Sequence, residues 1–384
     1  MSEVFACVAG GGTGGHTIPG LAIAEALVAA GHERSSIRFV GGSVGPEGTL
    51  VPAAGFALVA LPGRGIPRRA SFESLRAVVG VVRGVWAGIW LLRRMRPRVV
   101  IVLGGYASVP CTVGAILWRI PMVVTEQNAR ASAANRLAGR FAKVCAVPFE
   151  GTDLPRAVVT GNPVRPEILA VDRVRDRDRA RAELDLPTDR VVVAVFSGSL
   201  GSTRVNRAVE GLAARWRARD DLAIRHAVGA RDWDAGEGPR TTGEPGAPAP
   251  LEPAAPERRG LVYQRVRYED HVERLYAAAD LFVGRAGGST VAELTVVGLG
   301  SVLVPLPIAT RDHQTANAEA LVAVGAAVRV PDAELDTDRL ERELSSLLAE
   351  PGRLEAMAAA AHRLAHPDAA ARVAALAAEH ARRG

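Results

Sequence analysis

A glycine-rich stretch that ends in a histidine, VAGGGTGGH over residues 8–16, lies close to the start of the chain. It fits the Gly-x-Gly-x-x-Gly pattern, in which backbone N–H groups at a helix N-terminus bind a phosphate. An imidazole has a pKa of about 6.5 and can accept a proton at neutral pH. The stretch therefore predicts a phosphate or pyrophosphate site with His16 at its edge as a candidate general base. A helix-capping or packing role for His16 remains an alternative.

The same glycine pattern occurs in nicotinamide-dependent dehydrogenases. Such enzymes also need an acidic side chain about 20 residues further on, at the end of the second strand, to bind the ribose hydroxyls. Here that strand ends Val40-Gly41-Gly42-Ser43, without an acid. A dehydrogenase is therefore disfavoured, and the loop is interpreted as an anion site of another class of protein.

A second glycine-rich loop, GRAGGSTVAEL over residues 284–294, precedes a predicted helix in the second half of the chain. Glu293 falls one turn into that helix, where its carboxylate can accept hydrogen bonds from both hydroxyls of a ribose. The N–H groups of Gly288, Ser289 and Thr290 are free at the helix start and suit phosphates and a sugar. An exposed helix acid is the alternative interpretation of Glu293.

The elements that must position these residues repeat one pattern. Short apolar runs that end in Gly, Asn or Pro alternate with helical stretches, which is typical of a parallel sheet with crossover helices. A charge-rich break over residues 171–184 separates two such series. We therefore predict an α/β protein with two doubly wound, Rossmann-like domains that face each other across a cleft at the carboxyl ends of their strands.

The predicted domains are residues 1–164 and 165–365, and residues 366–384 are expected to form a helix that packs back on the first domain. Residues 235–260 are rich in Pro, Gly and Ala. Such a composition cannot bury a core, so a mobile surface loop is expected there.

Composition argues against several classes of partner. The net charge is +6, yet aromatic residues make up only 4% of the chain and no compact basic run alternates with them, so no nucleic-acid partner is expected. Among the 47 basic residues only Lys143 is a lysine, which indicates a composition bias. The three cysteines are widely spaced in apolar runs, so they predict buried thiols rather than disulfides or a metal site. The N-terminus shows no secretory signal, which predicts a protein inside the cell.

Six motifs occur along the chain in the order GGGTGGHTIPGLAIAEAL, LGGYASVP, EQN, GNPVR, GRAGGSTVAEL and DHQTANA. Together they closely resemble the MurG family of peripheral-membrane glycosyltransferases, over residues 4–330. The resemblance implies a GT-B fold and an inverting transfer of N-acetylglucosamine from UDP-N-acetylglucosamine to the 4-hydroxyl of the muramoyl sugar of lipid I. The product would be lipid II for peptidoglycan synthesis, and no metal or other cofactor would be required.

The resemblance also implies roles for individual residues. The N-terminal domain would take the acceptor and the C-terminal domain the nucleotide sugar, with His16 in the cleft. The donor-binding residues would be Asn128, Arg165, Ser199, Tyr268, Gly288, Ser289, Thr290, Glu293, His313 and Gln314. The acceptor-binding residues would be Thr13, Gly14, Gly15, Tyr106 and Ser108.

The chain departs from the family pattern at three places. Leu200 stands where glutamine is usual in the phosphate loop, which puts one polar contact of that loop in question. His313 replaces a glutamine found in some members. Around Tyr268, whose backbone would pair with the uracil, the sequence RVRYEDH differs from the usual FIDDM.

A long apolar segment, residues 72–90, could contact a membrane. Arg83 interrupts it, so it lacks the roughly 18 uninterrupted apolar residues that a membrane span needs. Apolar residues recur at helical spacing among arginines, which predicts a patch that binds anionic lipid at the cytoplasmic face of the membrane. The patch residues are Phe72, Leu75, Val79, Val82 and Trp86. A helix packed on the sheet is the alternative.

Two other functions remain open. A related GT-B enzyme could act on another acceptor, such as a secondary metabolite or a glycolipid. A noncatalytic nucleotide-sugar-binding protein would have lost site groups, and the presence of His16, Glu293 and Gln314 argues against it.

Overall fold

A computed structural model describes residues 3–42, 45–61, 72–105, 107–198, 200–234 and 259–383, without the side chains of residues 72–82 and 234. Most of the segment predicted to be a mobile loop, residues 235–258, lies outside the described residues. The described residues form two parallel sheets, each covered by helices on both faces.

The first sheet belongs to the N-terminal part of the chain. Its strands are β1 Ala6–Gly10, β2 Ile37–Gly42, β3 Ala57–Leu61, β4 Val99–Gly104, β5 Met122–Thr125, β6 Val144–Val147 and β7 Ala157–Val159. Its helices are α1 Gly14–Ala29, α2 Glu47–Ala53, α3 Phe72–Met95, α4 Ser108–Leu117 and α5 Ala133–Gly139, with a 3-10 turn at Arg34–Ser36. The strand order is β3-β2-β1-β4-β5-β6-β7, and all pairs are parallel.

The first sheet is buried on both faces, which explains why its strands are continuous apolar runs. Successive side chains of a strand point to opposite faces. In β1, Ala6 and Val8 belong to one core cluster, whereas Cys7 and Ala9 belong to the cluster on the other face. Helices must therefore cover both faces of the sheet.

The second sheet repeats this plan. After α6 Pro166–Leu169 and α7 Arg173–Glu183 come strands β8 Val191–Phe196, β9 Leu222–Ala227, β10 Val262–Val266, β11 Leu281–Gly284, β12 Ser301–Leu303 and β13 Ala327–Arg329. The helices between and after them are α8 Thr203–Arg215, α9 Ala230–Asp234, α10 Val272–Ala278, α11 Gly288–Val297, α12 His313–Val322, α13 Thr337–Ala349, α14 Arg353–His362 and α15 Ala369–His380, with 3-10 turns at Thr310–Asp312 and Asp332–Glu334. The strand order is β10-β9-β8-β11-β12-β13.

Both sheets place their first strand centrally, with the next two strands on one side and the fourth on the other. The strand order reverses between β1 and β4 and again between β8 and β11. In open α/β sheets, ligands bind at such switch points, outside the carboxyl ends of the strands. The predicted fold of two Rossmann-like domains is confirmed, and each sheet has one such switch point.

The end of the chain returns to the first domain. Helix α15 packs against α1, and its Val373, Ala374 and Ala377 lie in a core cluster with residues of the first sheet. The backbone N–H of Arg382 donates to the carbonyl of Arg98 at 2.9 Å. The two domains are thus connected by the chain twice.

Candidate active site

The first glycine loop leaves β1 and turns into α1. Gly12 has a φ of 89°, a value that favours glycine. Thr13 is the N-cap residue of α1, but its side chain makes no capping hydrogen bond. Instead its Oγ1 lies 3.0 Å from Nδ1 of His16. Since the first N–H groups of a helix have no partner within it, the exposed start of α1 can bind an anion there.

An internal carboxylate occupies the inner side of this loop. Glu47, at the start of α2, is 1% exposed. The N–H of Gly12 donates to Oε1 and Oε2 of Glu47, both at 3.0 Å, and the N–H of Gly42 donates to Oε1 at 3.0 Å. A Cβ at Gly11 would lie 2.5 Å from Oε1. A dinucleotide pyrophosphate cannot bind on this side of the loop because a fixed negative charge is already there.

His16 is half-buried, and its Nε2 faces the glycine turn after β4. A Cβ at Gly104 would lie 3.2 Å from His16 Nε2 and 3.3 Å from the side-chain amide of Asn135. Burial lowers the pKa of His16, while Glu126 and Glu47 raise it and His313 lowers it further. A lowered pKa keeps the imidazole neutral at neutral pH. In the tautomer whose Nδ1–H donates to Thr13 Oγ1, the Nε2 lone pair can accept a proton.

Glu126 organises the segment that follows β5. It is 1% exposed, and its Oε1 accepts from the backbone N–H of Gln127 at 2.9 Å and of Asn128 at 3.0 Å. The Asn128 side chain also donates to Oε1, at 3.1 Å. Oε2 accepts from the N–H of Ser132 at 3.0 Å and from Asn135 Nδ2 at 2.9 Å. One buried carboxylate therefore fixes both the predicted cleft residue Asn128 and Asn135, which faces His16.

In the second domain, Glu293 meets Arg165 as part of a buried group. Glu293 is 6% exposed, so the alternative of an exposed helix acid is wrong. Its Oε1 accepts from Arg165 Nη2 at 3.3 Å, and its Oε2 accepts from the Tyr276 hydroxyl at 3.0 Å. Burial raises the pKa of Glu293, and both partners oppose that rise. Two predicted donor-binding residues, 128 positions apart in the chain, thus lie in contact.

The two domains touch at the start of α11. The Cβ position of Gly288 points at the Gln127 carbonyl, so only glycine fits there. Asn317, which is fully buried on α12, accepts from the N–H of Ala129 at 2.8 Å and donates to Asn128 Oδ1 at 3.1 Å. The predicted residues Asn128 and Gly288 therefore lie together at the domain interface.

Three further predicted donor residues belong to the second domain. Gln314 accepts from the N–H of Leu306 at 3.0 Å, and His313 Nδ1 donates to the Thr310 carbonyl at 2.8 Å. Tyr268 follows β10 and is 53% exposed.

Some predicted residues are placed differently or lie outside the description. Ser108 was expected to line the acceptor side, but it is 0% exposed and donates to the Gly105 carbonyl at 2.8 Å. Because Ser108 is buried, its hydroxyl cannot line the cleft surface. It stabilises the turn after β4 instead. Tyr106 and Ser199 lie outside the described residues.

Several buried polar atoms near the cleft have no hydrogen-bond partner within the described part of the chain. They are Oε1 of Gln127, Oδ1 of Asn135, both side-chain polar atoms of Asn162, Nε of Arg165, and the hydroxyls of Ser197 and Ser289. A buried polar atom without a partner costs about 1–3 kcal/mol. Such atoms are normally paired with protein groups, water or a ligand, so these atoms are free to hydrogen-bond a polar ligand or water. Among the described residues, no group of three or more His, Cys, Asp or Glu side chains could hold a metal ion.

The predicted membrane patch lies on α3. Trp86 and Trp90 are 60% and 58% exposed, and the Arg93 guanidinium lies 5.2 Å from the centre of the Trp90 ring. Arg83 and Arg94 are also exposed. The side chains of Phe72, Leu75, Val79 and Val82 lie outside the described residues. In the described part of the chain, no helix is long and apolar enough to cross a membrane.

Residues 6–147 match the model of the glycosyltransferase family 28 N-terminal domain, and residues 192–373 match that of the family 28 C-terminal domain. With two facing Rossmann-type sheets, these matches define a two-domain glycosyltransferase. The chain is 38% identical over 374 residues to the UDP-N-acetylglucosamine--N-acetylmuramyl-(pentapeptide) pyrophosphoryl-undecaprenol N-acetylglucosamine transferase of Alkalilimnicola ehrlichii, which covers 97% of this chain and 98% of the relative.

The enzyme of the same name from Nocardioides sp. is 39% identical over 367 residues, covering 96% of this chain and 95% of that one. The crystal structure of Acinetobacter baumannii MurG superposes with a TM-score of 0.73 at 25% identity, over 99% of this chain and 100% of that chain. The chain therefore belongs to the MurG family of N-acetylglucosaminyltransferases, and the resemblance inferred from the six motifs is confirmed.

Proposed function

We infer that this protein transfers N-acetylglucosamine from UDP-N-acetylglucosamine to the 4-hydroxyl of the muramoyl sugar of lipid I, the undecaprenyl-pyrophosphoryl muramoyl-pentapeptide, and so forms lipid II. The names of its relatives specify the same donor and a pyrophosphoryl-undecaprenol acceptor. The observation that carries the inference is that α1, which carries His16, contacts α11, which carries Glu293. The electrostatic effect of His313, a residue of the second domain, on the pKa of His16 supports this proximity.

The chemistry follows from this arrangement. The 4-hydroxyl oxygen attacks the anomeric carbon from the face opposite UDP, and the new C–O bond inverts α to β. His16 Nε2 takes the hydroxyl proton as the bond forms. The bond from the anomeric carbon to the phosphate oxygen breaks, and its electron pair leaves with UDP. Backbone N–H groups at the start of α11 and the Arg165 guanidinium stabilise that negative charge.

On the donor side, we propose that Glu293 binds the ribose hydroxyls through Oε1 when Arg165 turns to the phosphates. Tyr276 then keeps Oε2 in place. Asn128, His313 and Gln314 are assigned to the sugar. The hydroxyls of Ser199 and Ser289 and the N–H groups of Gly288 and Thr290 are assigned to the phosphates. The Tyr268 backbone is assigned to the uracil.

On the acceptor side, we propose that Thr13, Gly14 and Gly15 bind the pyrophosphate of lipid I at the exposed N-terminus of α1. A helix N-terminus carries about half a positive charge, and its N–H groups favour an anion there. Tyr106 is assigned to the acceptor side of the same cleft. Residues 1–164 would thus form the acceptor- and membrane-binding domain and residues 165–365 the donor-binding domain.

We also propose that the protein binds the cytoplasmic face of the cell membrane peripherally, through α3. Exposed tryptophans next to arginines suit the boundary of an anionic bilayer. Replacing Trp86 and Trp90 by Ser should release the protein from anionic vesicles in a sedimentation assay, and salt should weaken wild-type binding. Phe141→Ser is the control, because Phe141 is an exposed aromatic residue elsewhere in the same domain, 54% exposed. Unchanged vesicle binding of the tryptophan variant would place the contact elsewhere.

The direct test is to incubate the purified protein with labelled UDP-N-acetylglucosamine and a short-chain lipid I analogue. We expect a β-linked disaccharide product, formed equally well in the presence of EDTA. Calorimetry of UDP binding on the same sample tests donor binding separately from transfer to the acceptor. Tight UDP binding without transfer to the lipid I analogue would contradict this acceptor and favour a related enzyme with another acceptor.

A further inference from the structure

We propose that Glu47 is a positioning residue for the acceptor half of this reaction, because its carboxylate fixes the backbone turn from which α1 begins and excludes anions from the inner side of that turn. The proposal rests on the proposed function for its substrate, the pyrophosphate-bearing acceptor. Glu47 itself touches no reacting atom.

The residues around Glu47 leave space for its side chain. Three glycines leave the space that it fills: a Cβ at Gly11 would lie 2.5 Å from Oε1, a Cβ at Gly41 would lie 2.8 Å from Cγ, and a Cβ at Gly45 would collide with the carboxylate. These glycines come from the loop after β1, from β2 and from the turn before α2. Any side chain at these positions would displace the carboxylate.

The hydrogen bonds of Glu47 fix the residues on which the acceptor would bind. Gly12, whose N–H donates to both carboxylate oxygens, directly precedes the N-cap residue Thr13. Thr13 in turn contacts His16 through its hydroxyl. The Thr13 side chain does not cap the helix, and the bond from Gly12 to Glu47 connects the residue before this N-cap to α2. The orientation of the first turn of α1 therefore depends on Glu47.

The charge of Glu47 also decides which side of the loop an anion can approach. The N–H of Gly12 is already used, and a second anion beside the buried carboxylate would be repelled. The N–H groups of Gly14 and Gly15 lie at the partly exposed start of α1, next to His16. A pyrophosphate is thereby directed to the side of the loop that carries the candidate base.

The pKa of His16 provides a measurement that distinguishes the proposed role of Glu47 from a purely structural role, which would leave that pKa unchanged. Three titratable groups act on this imidazole: Glu47 from α2 and Glu126 after β5 raise its pKa, whereas His313 from α12 lowers it. Removing the charge of Glu47 should therefore lower the pKa of His16. The acidic limb of the kcat/KM profile, which reports the protonation of that base, should move to lower pH.

The experiment compares Glu47→Ala and Glu47→Gln with the wild-type protein. Glu25→Gln is the matched control, because it removes a carboxylate from the same domain at the surface-exposed pair with Arg34. For each protein, kcat and KM are measured with the lipid I analogue across pH, and UDP affinity is measured by calorimetry. Hydrogen exchange of residues 10–20 reports the loop directly.

We expect Glu47→Ala to raise the acceptor KM by about 10- to 100-fold, the loss associated with hydrogen bonds to a charged group. The UDP affinity should stay within about twofold, which is ordinary for a site that is not contacted. Exchange at Gly12 should increase. Glu47→Gln keeps an oxygen that can accept from Gly12 and Gly42, so its KM should change less, while its acidic limb shifts to lower pH. Glu25→Gln should match the wild type in every measurement.

Three results would overturn the proposal. They are an unchanged acceptor KM in Glu47→Ala, an equal loss of UDP affinity and acceptor affinity, and an acidic limb that does not move in Glu47→Gln. The last remains decisive if Glu47→Ala does not fold. If the wild type makes no product from the lipid I analogue, the proposed function fails. The positioning role is then judged by exchange at Gly12, which must rise in Glu47→Ala and not in Glu25→Gln.

Discussion

Each domain has an acidic residue in the helix that follows its second strand, but the two acids have different partners. The acid of the first domain accepts hydrogen bonds from the backbone of the glycine loop, whereas the acid of the second domain accepts one from a side chain. Glu47 of α2 accepts from the N–H of Gly12 and Gly42. Asp232 of α9 accepts instead from Asn206 Nδ2 on α8, at 2.9 Å. The two domains share a strand order, so this difference concerns side chains rather than topology.

In the second domain, Asn206 also belongs to a chain of hydrogen-bonded neutral side chains. Asn206 Oδ1 lies 2.9 Å from His226 Nε2, and His226 Nδ1 lies 2.9 Å from the Tyr263 hydroxyl. Burial lowers the pKa of His226 to about 3, so this histidine is neutral at neutral pH. The carboxylate of Asp232 thus binds α8 and Arg231 rather than a loop. The first loop, by contrast, has a buried carboxylate on its inner side that accepts from its backbone.

The largest expected effect tests the first loop. His16→Ala should lower kcat by about 10² to 10⁴, the usual contribution of a general base. UDP affinity should be nearly unchanged, and the acidic limb of the pH profile should disappear. Stopped assays with a soluble lipid I analogue across the pH range measure all three quantities, with His32→Ala as the control in the same domain. A raised acceptor KM with an intact kcat and acidic limb would show that His16 only orients the pyrophosphate.

The corresponding test of the second domain concerns Glu293. Glu293→Gln should weaken UDP binding by about 10- to 100-fold, because a hydrogen bond to a charged group contributes about 1.5–3 kcal/mol. The wild type should bind 2′-deoxy-UDP more weakly than UDP, and the variant should discriminate less between them. Calorimetry measures both affinities, and Glu319→Gln on α12 is the control. Equal affinity of the wild type for the two nucleotides would remove Glu293 from the ribose site.

These sites differ in how far the sequence predicts them. His16 and Glu293 are recognisable because each follows a glycine loop at a fixed short distance, and the strand–loop–helix unit that places them is local. The repeated pattern of strands and helices likewise predicts both sheets, because apolar runs and turn residues are local signals. Motif spacing is sufficient where one supersecondary unit contains the whole arrangement.

Glu47 could not be found in this way because its contacts join elements that are distant in sequence. Gly12 and Glu47 are 35 positions apart and meet only because β2 pairs with β1. Tyr276 and Asn317 were missed for the same reason. Tyr276 donates to Glu293, 17 positions away, and two partners of Asn317, Asn128 and Ala129, belong to the other domain. A signal for Glu126 was present, because this acid directly follows the apolar strand β5, but its five hydrogen bonds depend on how residues 126–135 fold.

A third prediction tests the neutral chain of the second domain. His226 binds a proton in the unfolded chain below a pH of about 6.5 but resists protonation when folded, so stability rises with pH between these two pKa values. Between about pH 6.5 and about pH 5, the free energy of unfolding of the wild type should fall by about 2 kcal/mol because of this residue, at about 1.36 kcal/mol per pH unit. His226→Gln should lack that loss in urea titrations at both pH values. His271→Gln, an exposed histidine of the same domain, should keep it.

The smallest expected effect comes from Asp232→Asn, the counterpart of removing the charge of Glu47. Burial disfavours the charged form of Asp232, but hydrogen bonds from Arg231, Thr203 and Asn206 outweigh it and lower its pKa. A lowered carboxylate pKa stabilises the fold above the unfolded pKa and stops doing so as pH falls through the folded one. The free energy of unfolding of the variant should therefore be about 1 kcal/mol lower than that of the wild type at neutral pH, as expected for one hydrogen bond. In acid the two values should approach each other.

Because Asp232 contacts α8 and not a loop backbone, Asp232→Asn should leave the acceptor KM and the acidic limb of the rate profile unchanged. Urea titrations at neutral and acidic pH, together with the lipid I analogue assay, measure both expectations on one preparation. If Asp232→Asn moved the acidic limb as far as Glu47→Gln does, the shift could not be assigned to the first loop. The two acids would then act through overall charge, and the distinction between a backbone-bound and a side-chain-bound carboxylate would have no consequence for catalysis.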